Sequence, residues 1–182
     1  TMKYEIIFSG IGGQGVILAG SLLGEAAVSC GLRAAQTQAY GVSARGGFTK
    51  TDVIISDDEI LYPYALTPDL IIVLAEPALL HYLNVSNDNC KVIYDSSIID
   101  ASKYDLDKRY FGLPIVEIAK ELGSARSANI LSLGIAASFI VDISLEQLDN
   151  VLEKRFRGKI LEKNIEILRK GIELGKSVAL TR

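Results

Sequence analysis

The sequence predicts an α/β protein: a Rossmann-like open, mostly parallel sheet with helices packed on it and a helical C-terminal portion. Three observations carry this expectation. Short apolar runs of strand length alternate with helix-period stretches through the first half of the chain. One such run, Leu70 to Ala75, reads LIIVLA without interruption, as a strand covered on both faces should. The second half is mostly helical in period. Apolar residues make up 49% of the chain and charged residues 23%, enough apolar surface for one core and an ordinary globular balance. A single domain over residues 2–182 is therefore expected.

The elements follow in order. Tyr4-Glu5-Ile6-Ile7-Phe8 is the first strand, ended by the glycine cluster Gly10 to Gly15. Val16, Ala19, Leu22, Leu23 and Ala26 recur at helical spacing, which predicts a helix over 14–29 closed by Gly31. Residues 33–39 form a second strand, Tyr40 to Gly47 a loop, and Thr49 to Ser56 a third strand. Asp57-Asp58 reads as a turn, and Pro63 and Pro68 flank a loop before the LIIVLA strand. Pro77 suits the first turn of a short helix carrying Leu79, Leu80 and Leu83. Lys91 to Tyr94 is another strand, and Pro114 opens a helix towards Leu122. Ser127 or Asn129 caps an apolar helix whose run, Ile130 to Val141, is too short to span a membrane. Ser144-Leu145-Glu146-Gln147 fits a capping box, followed by a helix burying Leu145, Leu148, Val151 and Leu152. Leu161, Ile165, Leu168 and Ile172 mark one face of a charged final helix.

Composition narrows the function. Net charge is −3 with no basic run, so phosphate-backbone binding to nucleic acid has no footprint. The two cysteines, Cys30 and Cys90, read as buried thiols in a reducing cytoplasm, with one disulfide between them left open. Two thiols fall short of the four that an iron–sulfur cluster usually takes, and the lone His81 supplies a zinc site poorly. No signal peptide is expected, since Met2-Lys3-Tyr4 runs directly into a strand; Thr1 is set aside.

Gly10-Ile11-Gly12-Gly13-Gln14-Gly15 satisfies G-x-G-x-x-G between a strand and a helix. Such a turn brings backbone N–H groups and a helix N-terminus to an anion. Two departures limit it. The second strand ends in Ala35-Gln36-Thr37-Gln38, without the carboxylate that holds the ribose of NAD, and Val16 replaces the lysine of a phosphate-binding Walker loop. A tight turn with no ligand reads equally well from this motif alone. The second unusual stretch is Tyr40-Gly41-Val42-Ser43-Ala44-Arg45-Gly46-Gly47. Gly46 and Gly47 admit backbone shapes closed to other residues, Arg45 offers a fork for phosphate or carboxylate, and Tyr40 offers a ring for stacking. If the first two strands are parallel neighbours, both loops border one crevice at the C-terminal edge of the sheet, where open α/β sheets bind ligands. The bland reading of this loop is an exposed turn with Arg45 in an ordinary ion pair.

Taken together and in this order, the two loops resemble the gamma subunits of 2-oxoacid:ferredoxin oxidoreductases. So do Ser127 to Gly134 (SANILSLG), Leu145 to Gly158, and a last helix containing Asn164, so that the resemblance covers nearly the whole chain. Val42 and Ser43 depart from it, standing where Pro and Glu are expected. The resemblance implies a subunit of a complex that oxidatively decarboxylates a 2-oxoacid to its acyl-CoA and reduces ferredoxin. The favoured substrate is 2-oxoglutarate, with pyruvate and branched-chain 2-oxoacids as alternatives. It further implies alpha and beta partners, a ferredoxin-like delta subunit in some complexes, and thiamine diphosphate and iron–sulfur clusters on those other chains. This chain would support assembly and border coenzyme A through Gly10, Gly12, Gly13, Gln14, Gly15, Tyr40, Arg45, Gly46 and Gly47. No catalytic side chain and no metal ligand is expected here. A free-standing Rossmann oxidoreductase and a pure scaffold are the competing readings. Elsewhere, His81 is expected to pack or face solvent, Asp95 to cap a turn, Glu76 to offset a helix dipole, and Tyr62-Pro63-Tyr64 to lie at an interface or partly in the core.

Overall fold

A computed structural model of the chain describes residues 1–41, 47–85 and 87–181. Six strands form one sheet in the order β2-β3-β1-β4-β5-β6. They are β1 (Lys3–Gly10), β2 (Arg33–Gly41), β3 (Phe48–Ser56), β4 (Leu70–Val73), β5 (Lys91–Asp95) and β6 (Tyr110–Leu113). The helices are α1 (Val16–Ser29), α2 (Glu76–His81), α3 (Ile115–Glu121), α4 (Ala128–Ala137), α5 (Leu145–Glu153) and α6 (Gly158–Ala179).

The sheet is mixed but mostly parallel. β1, β4, β5 and β6 run in one direction, and β3 alone is antiparallel to its neighbours β1 and β2. The connection from β2 to β3 is too short for a crossover, so the two strands fold back as a hairpin. That hairpin corrects one sequence expectation. β2 is parallel to β1 but not beside it, because β3 fills the place between them. β6 was not anticipated: Tyr-Phe-Gly-Leu is short, half-buried and interrupted by Gly112, so it carries little strand pattern.

One face of the sheet holds the larger core. Ile6, Phe8, Val53, Ile55, Leu70 and Ile72 pack there against α1 and α4, which are backed by α5 and α6. Every residue of α4 is buried, because the helix lies between α1 and α6 and has no solvent side. Its apolar run is thus a core helix, as expected, although it stops at Ala137 and leaves Val141 exposed. Among the described residues no helix is long and apolar enough to cross a membrane. α4 and α6 approach closely through Gly134, Gly171 and Gly175: a Cβ at Gly134 would meet the Leu168 carbonyl, and one at Gly171 the Leu131 carbonyl. The second face carries a smaller cluster, Ile7, Ile71, Val73, Leu79, Tyr82 and Val92, covered by α2 and by loops.

Several ends match their signals. The Ser144 side chain accepts the Gln147 N–H at 3.2 Å and caps α5. Leu145, expected inside, is half exposed, since the first residue of α5 points past the core. Buried Asp95 accepts the N–H groups of Ser97 and of Val116 at 3.0 Å each, so it holds its own turn and the start of α3 together. Both cysteines are free, but Cys30 is only half-buried, where burial was expected.

Candidate functional site

Gly10 to Gly15, Tyr40 and Gly47 lie at the C-terminal edge of the sheet. Gly10 ends β1 opposite Thr49, and Thr49 in turn lies opposite Tyr40 on β2. The glycine loop and the end of β2 therefore lie at the same edge. Tyr40 stands two strand spacings from Gly10, ~10 Å, not one. Tyr40 and Gly47 are exposed at this edge. Arg45 and Gly46 lie outside the described residues.

The glycine loop is braced from within and from two sides. Gln14 folds its carboxamide back: Oε1 accepts the Ile11 N–H at 2.8 Å, and Nε2 donates to the Leu74 carbonyl at the end of β4, 2.9 Å away. Both ends of the Gln14 side chain are thus engaged inside the protein. A Cβ at Gly10 would collide with Gln14 Oε1, so Gly10 makes room for the brace. Gly15 precedes α1 at φ 71°, in the left-handed region, and a Cβ there would stand 2.6 Å from Asn129 Nδ2. Asn129, near the start of α4, donates from Nδ2 to the Gly15 carbonyl at 3.4 Å.

Gly12 is different. Its φ is not positive, and a Cβ built on it meets nothing within 4 Å. Neither backbone strain nor packing requires glycine at this position. Gly13 also borders open space, although its φ of 86° gives it a conformational reason. The N–H groups of Gly12, Gly13 and Gly15 reach no acceptor among the described residues. They sit at the positive end of the α1 dipole, and the first turn of α1 carries no acidic residue to compete for it. N–H donors of this kind at a helix N-terminus are chemically suited to a phosphate or another anion.

Other groups near this edge are structural. Tyr104 donates to Glu76 at the start of α2, and that bond, with burial, raises the phenol above its ordinary range. His81 is exposed and rests against Phe48 with ring centroids 4.8 Å apart; partial burial and then the Lys50 charge lower its pKa. A cleft of about 460 Å³ opens on the other side of Asn129, between the starts of α4 and α6, with Arg126, Lys159 and Lys163 on its walls. The roles of Asn129 and of the Gln14 brace were not evident from the sequence alone. In the sequence Asn129 reads as a cap of the apolar helix, and nothing local ties it to a loop 114 residues away.

The fold is an open α/β sheet with a glycine turn between β1 and α1 and no carboxylate at the end of β2. The chain belongs to the pyruvate ferredoxin/flavodoxin oxidoreductase family, whose model matches residues 5–174. It is 37% identical over 177 residues to the 2-oxoglutarate synthase subunit KorC of Archaeoglobus fulgidus, covering 97% of this chain and 90% of that one. Among solved structures it is similar to the gamma subunit of a keto/oxoacid ferredoxin oxidoreductase from Geobacter sulfurreducens, with 31% identity and a TM-score of 0.79 over 96% of this chain and 99% of that one. It also matches the 2-oxoglutarate:ferredoxin oxidoreductase of Magnetococcus marinus, solved with 2-oxoglutarate, coenzyme A and succinyl-CoA bound. There the TM-score is 0.82 at 25% identity, and the match covers all of this chain but 32% of the longer one.

Proposed function

We propose that this chain is the gamma subunit of a cytoplasmic complex that oxidatively decarboxylates 2-oxoglutarate to succinyl-CoA, and that its glycine loop borders the coenzyme A. Kinship with KorC supports the substrate, and residues 2–182 act as the one gamma domain. The observation that carries the ligand is Gly12, a glycine facing open space, with no structural need to be glycine, among N–H groups that meet no acceptor among the described residues.

Gly12, Gly13 and Gly15 would offer their N–H groups to a phosphate of coenzyme A, with the α1 N-terminus adding positive potential. Gly10 and Gln14 keep the loop in shape from behind. Arg45, Gly46 and Gly47 would form the second wall with Tyr40, across the width of β3. Bound there, coenzyme A supplies the thiol that receives the acyl group. The contribution of this chain is positioning, which can account for much of a rate enhancement without a reacting side chain. Thiamine diphosphate and the iron–sulfur clusters fall to alpha, beta and ferredoxin-like delta partners, with ferredoxin as acceptor, because two cysteines are too few to hold a cluster here.

Calorimetric titration of coenzyme A into the chain and into the complex purified with its partners tests this reading. Gly12→Ala and Arg45→Ala should each weaken binding about tenfold or more while melting with the wild type. Binding that neither substitution changes would remove the two loops from the site. No binding to chain or complex would leave a scaffold and end the ligand proposal.

A further inference from the structure

The connection between β3 and β4, residues 57–69, holds no helix or strand and is longer than the ~4–6 residues usual for such links. It crosses the less covered face of the sheet as a strap. Two buried carboxylates hold it down. Asp52 accepts the Ala65 N–H at 3.0 Å, and Glu5 accepts the N–H groups of Leu66 at 3.2 Å and Thr67 at 3.0 Å, with the Thr67 hydroxyl at 2.7 Å. Glu5 is 3% exposed and Asp52 2%. The Thr37 hydroxyl donates to the Pro63 carbonyl, tying the strap to β2 as well.

Fixing a loop with buried charge is costly, and here the fixed loop turns its largest apolar side chains outward. Pro68 is buried and Ile60, Pro63 and Ala65 are partly buried, while Leu61 is 85% exposed, Leu66 66%, Tyr62 51% and Tyr64 48%. The Tyr62 and Tyr64 rings lean together at 5.2 Å. A rigid, adjacent set of two leucines and two tyrosines is the composition of an interface core. Its surroundings are mainly acidic: Asp57, Asp58 and Glu59 are exposed, residues 57–69 contain no Lys or Arg, and the nearby Lys3 and Lys50 are paired with the buried Glu5 and Asp52. Two copies of such a surface repel each other, whereas an apolar face rimmed by Lys and Arg complements it.

We propose that the strap is the docking surface for another chain of the complex, one that presents an apolar face with a basic rim. This rests on the gamma-subunit reading above. In the Magnetococcus marinus enzyme the matching unit is about a third of a longer polypeptide, so the remaining two-thirds is joined to it covalently. This chain instead covers 90% of the Archaeoglobus fulgidus KorC subunit, and on the gamma-subunit reading the strap supplies the contact with another subunit.

Hydrogen exchange on the isolated chain and on the complex assembled with its partner subunits tests the surface without substitution. Peptides covering residues 59–66 should exchange at least tenfold more slowly in the complex; unchanged exchange overturns the proposal. In parallel, the Leu61→Glu/Tyr64→Glu double variant should bind the partner subunits at least tenfold more weakly while melting like the wild type. Asp58→Lys/Glu59→Lys should weaken binding as well. Wild-type affinity in a folded double variant overturns the proposal. Self-association of the isolated chain that the double variant abolishes overturns the choice of partner. A wild-type chain that binds no partner subunit overturns the gamma-subunit reading, and the docking surface with it.

Discussion

Gly12 and Gly15 are three positions apart in one loop and are glycine for different reasons. Gly15 combines a positive φ with the pressure of Asn129, so Gly15→Ala should lower stability by about 1–3 kcal/mol, read as a fall in melting temperature. Gly12 has neither constraint, and its replacement by Ala should be silent in melting and visible only in ligand binding. A G-x-G-x-x-G string cannot separate the two cases, because the difference lies in what stands around each Cα. Asp69 allows a titration test. The residue is exposed overall, and its carboxyl is pushed above the ordinary range, first by partial desolvation and then by the nearby Glu5 charge, against the lowering effect of the Glu5 N–H that it accepts. A raised folded-state pKa means that the protonated form favours folding. Stability from this group is present below the unfolded value of about 3.8 and is lost as pH rises through the folded value. Asp69→Asn retains an acceptor for the Glu5 N–H, so it should melt above the wild type at pH 7. The gap should shrink as pH falls towards 3; a constant gap would mean that charge is not the cause.

The elements most readable from sequence were those whose period and end signals agree. α1, with its regular apolar positions and Gly31 beyond its end, runs over Val16–Ser29, starting two residues later than expected because the glycine turn is not helical. α5 begins where Ser144 caps it. α4 was recognisable as buried because it is apolar on every side, but what buries it was not recognisable. Its fit against α6 depends on Gly134, Gly171 and Gly175, which look like helix-weakening residues in sequence and act as contact points in space. Gly171→Val would drive a side chain into the Leu131 carbonyl and the Gly134 Cα. That overpacking should cost about 3 kcal/mol or more, measurable by denaturant unfolding, whereas Gly158→Ala at the exposed start of α6 should cost less.

At the scale of the molecule, the antiparallel β3 decides the spacing along the C-terminal edge of the sheet. It separates β1 from β2, so the ends of these two strands stand on either side of an intervening strand and not side by side. If coenzyme A bridges both walls, the complex should bind it more tightly than the isolated chain, as the partner subunits close the remaining side; equal affinities would place the whole site on this chain. The sequence by itself determined the α/β class, nearly all of the elements, the glycine loop at a strand-to-helix turn and the family likeness. All of these rest on residues close together in the chain, where periodicity, capping and turn chemistry act. Only the tertiary structure decided the strand order, the Asn129 contact with Gly15, the inward use of Gln14 and the outward face of the strap. Each depends on groups far apart in sequence, as Asn129 and Gly15 are, and they meet only when the whole core closes and long-range burial outweighs the entropy of bringing them together.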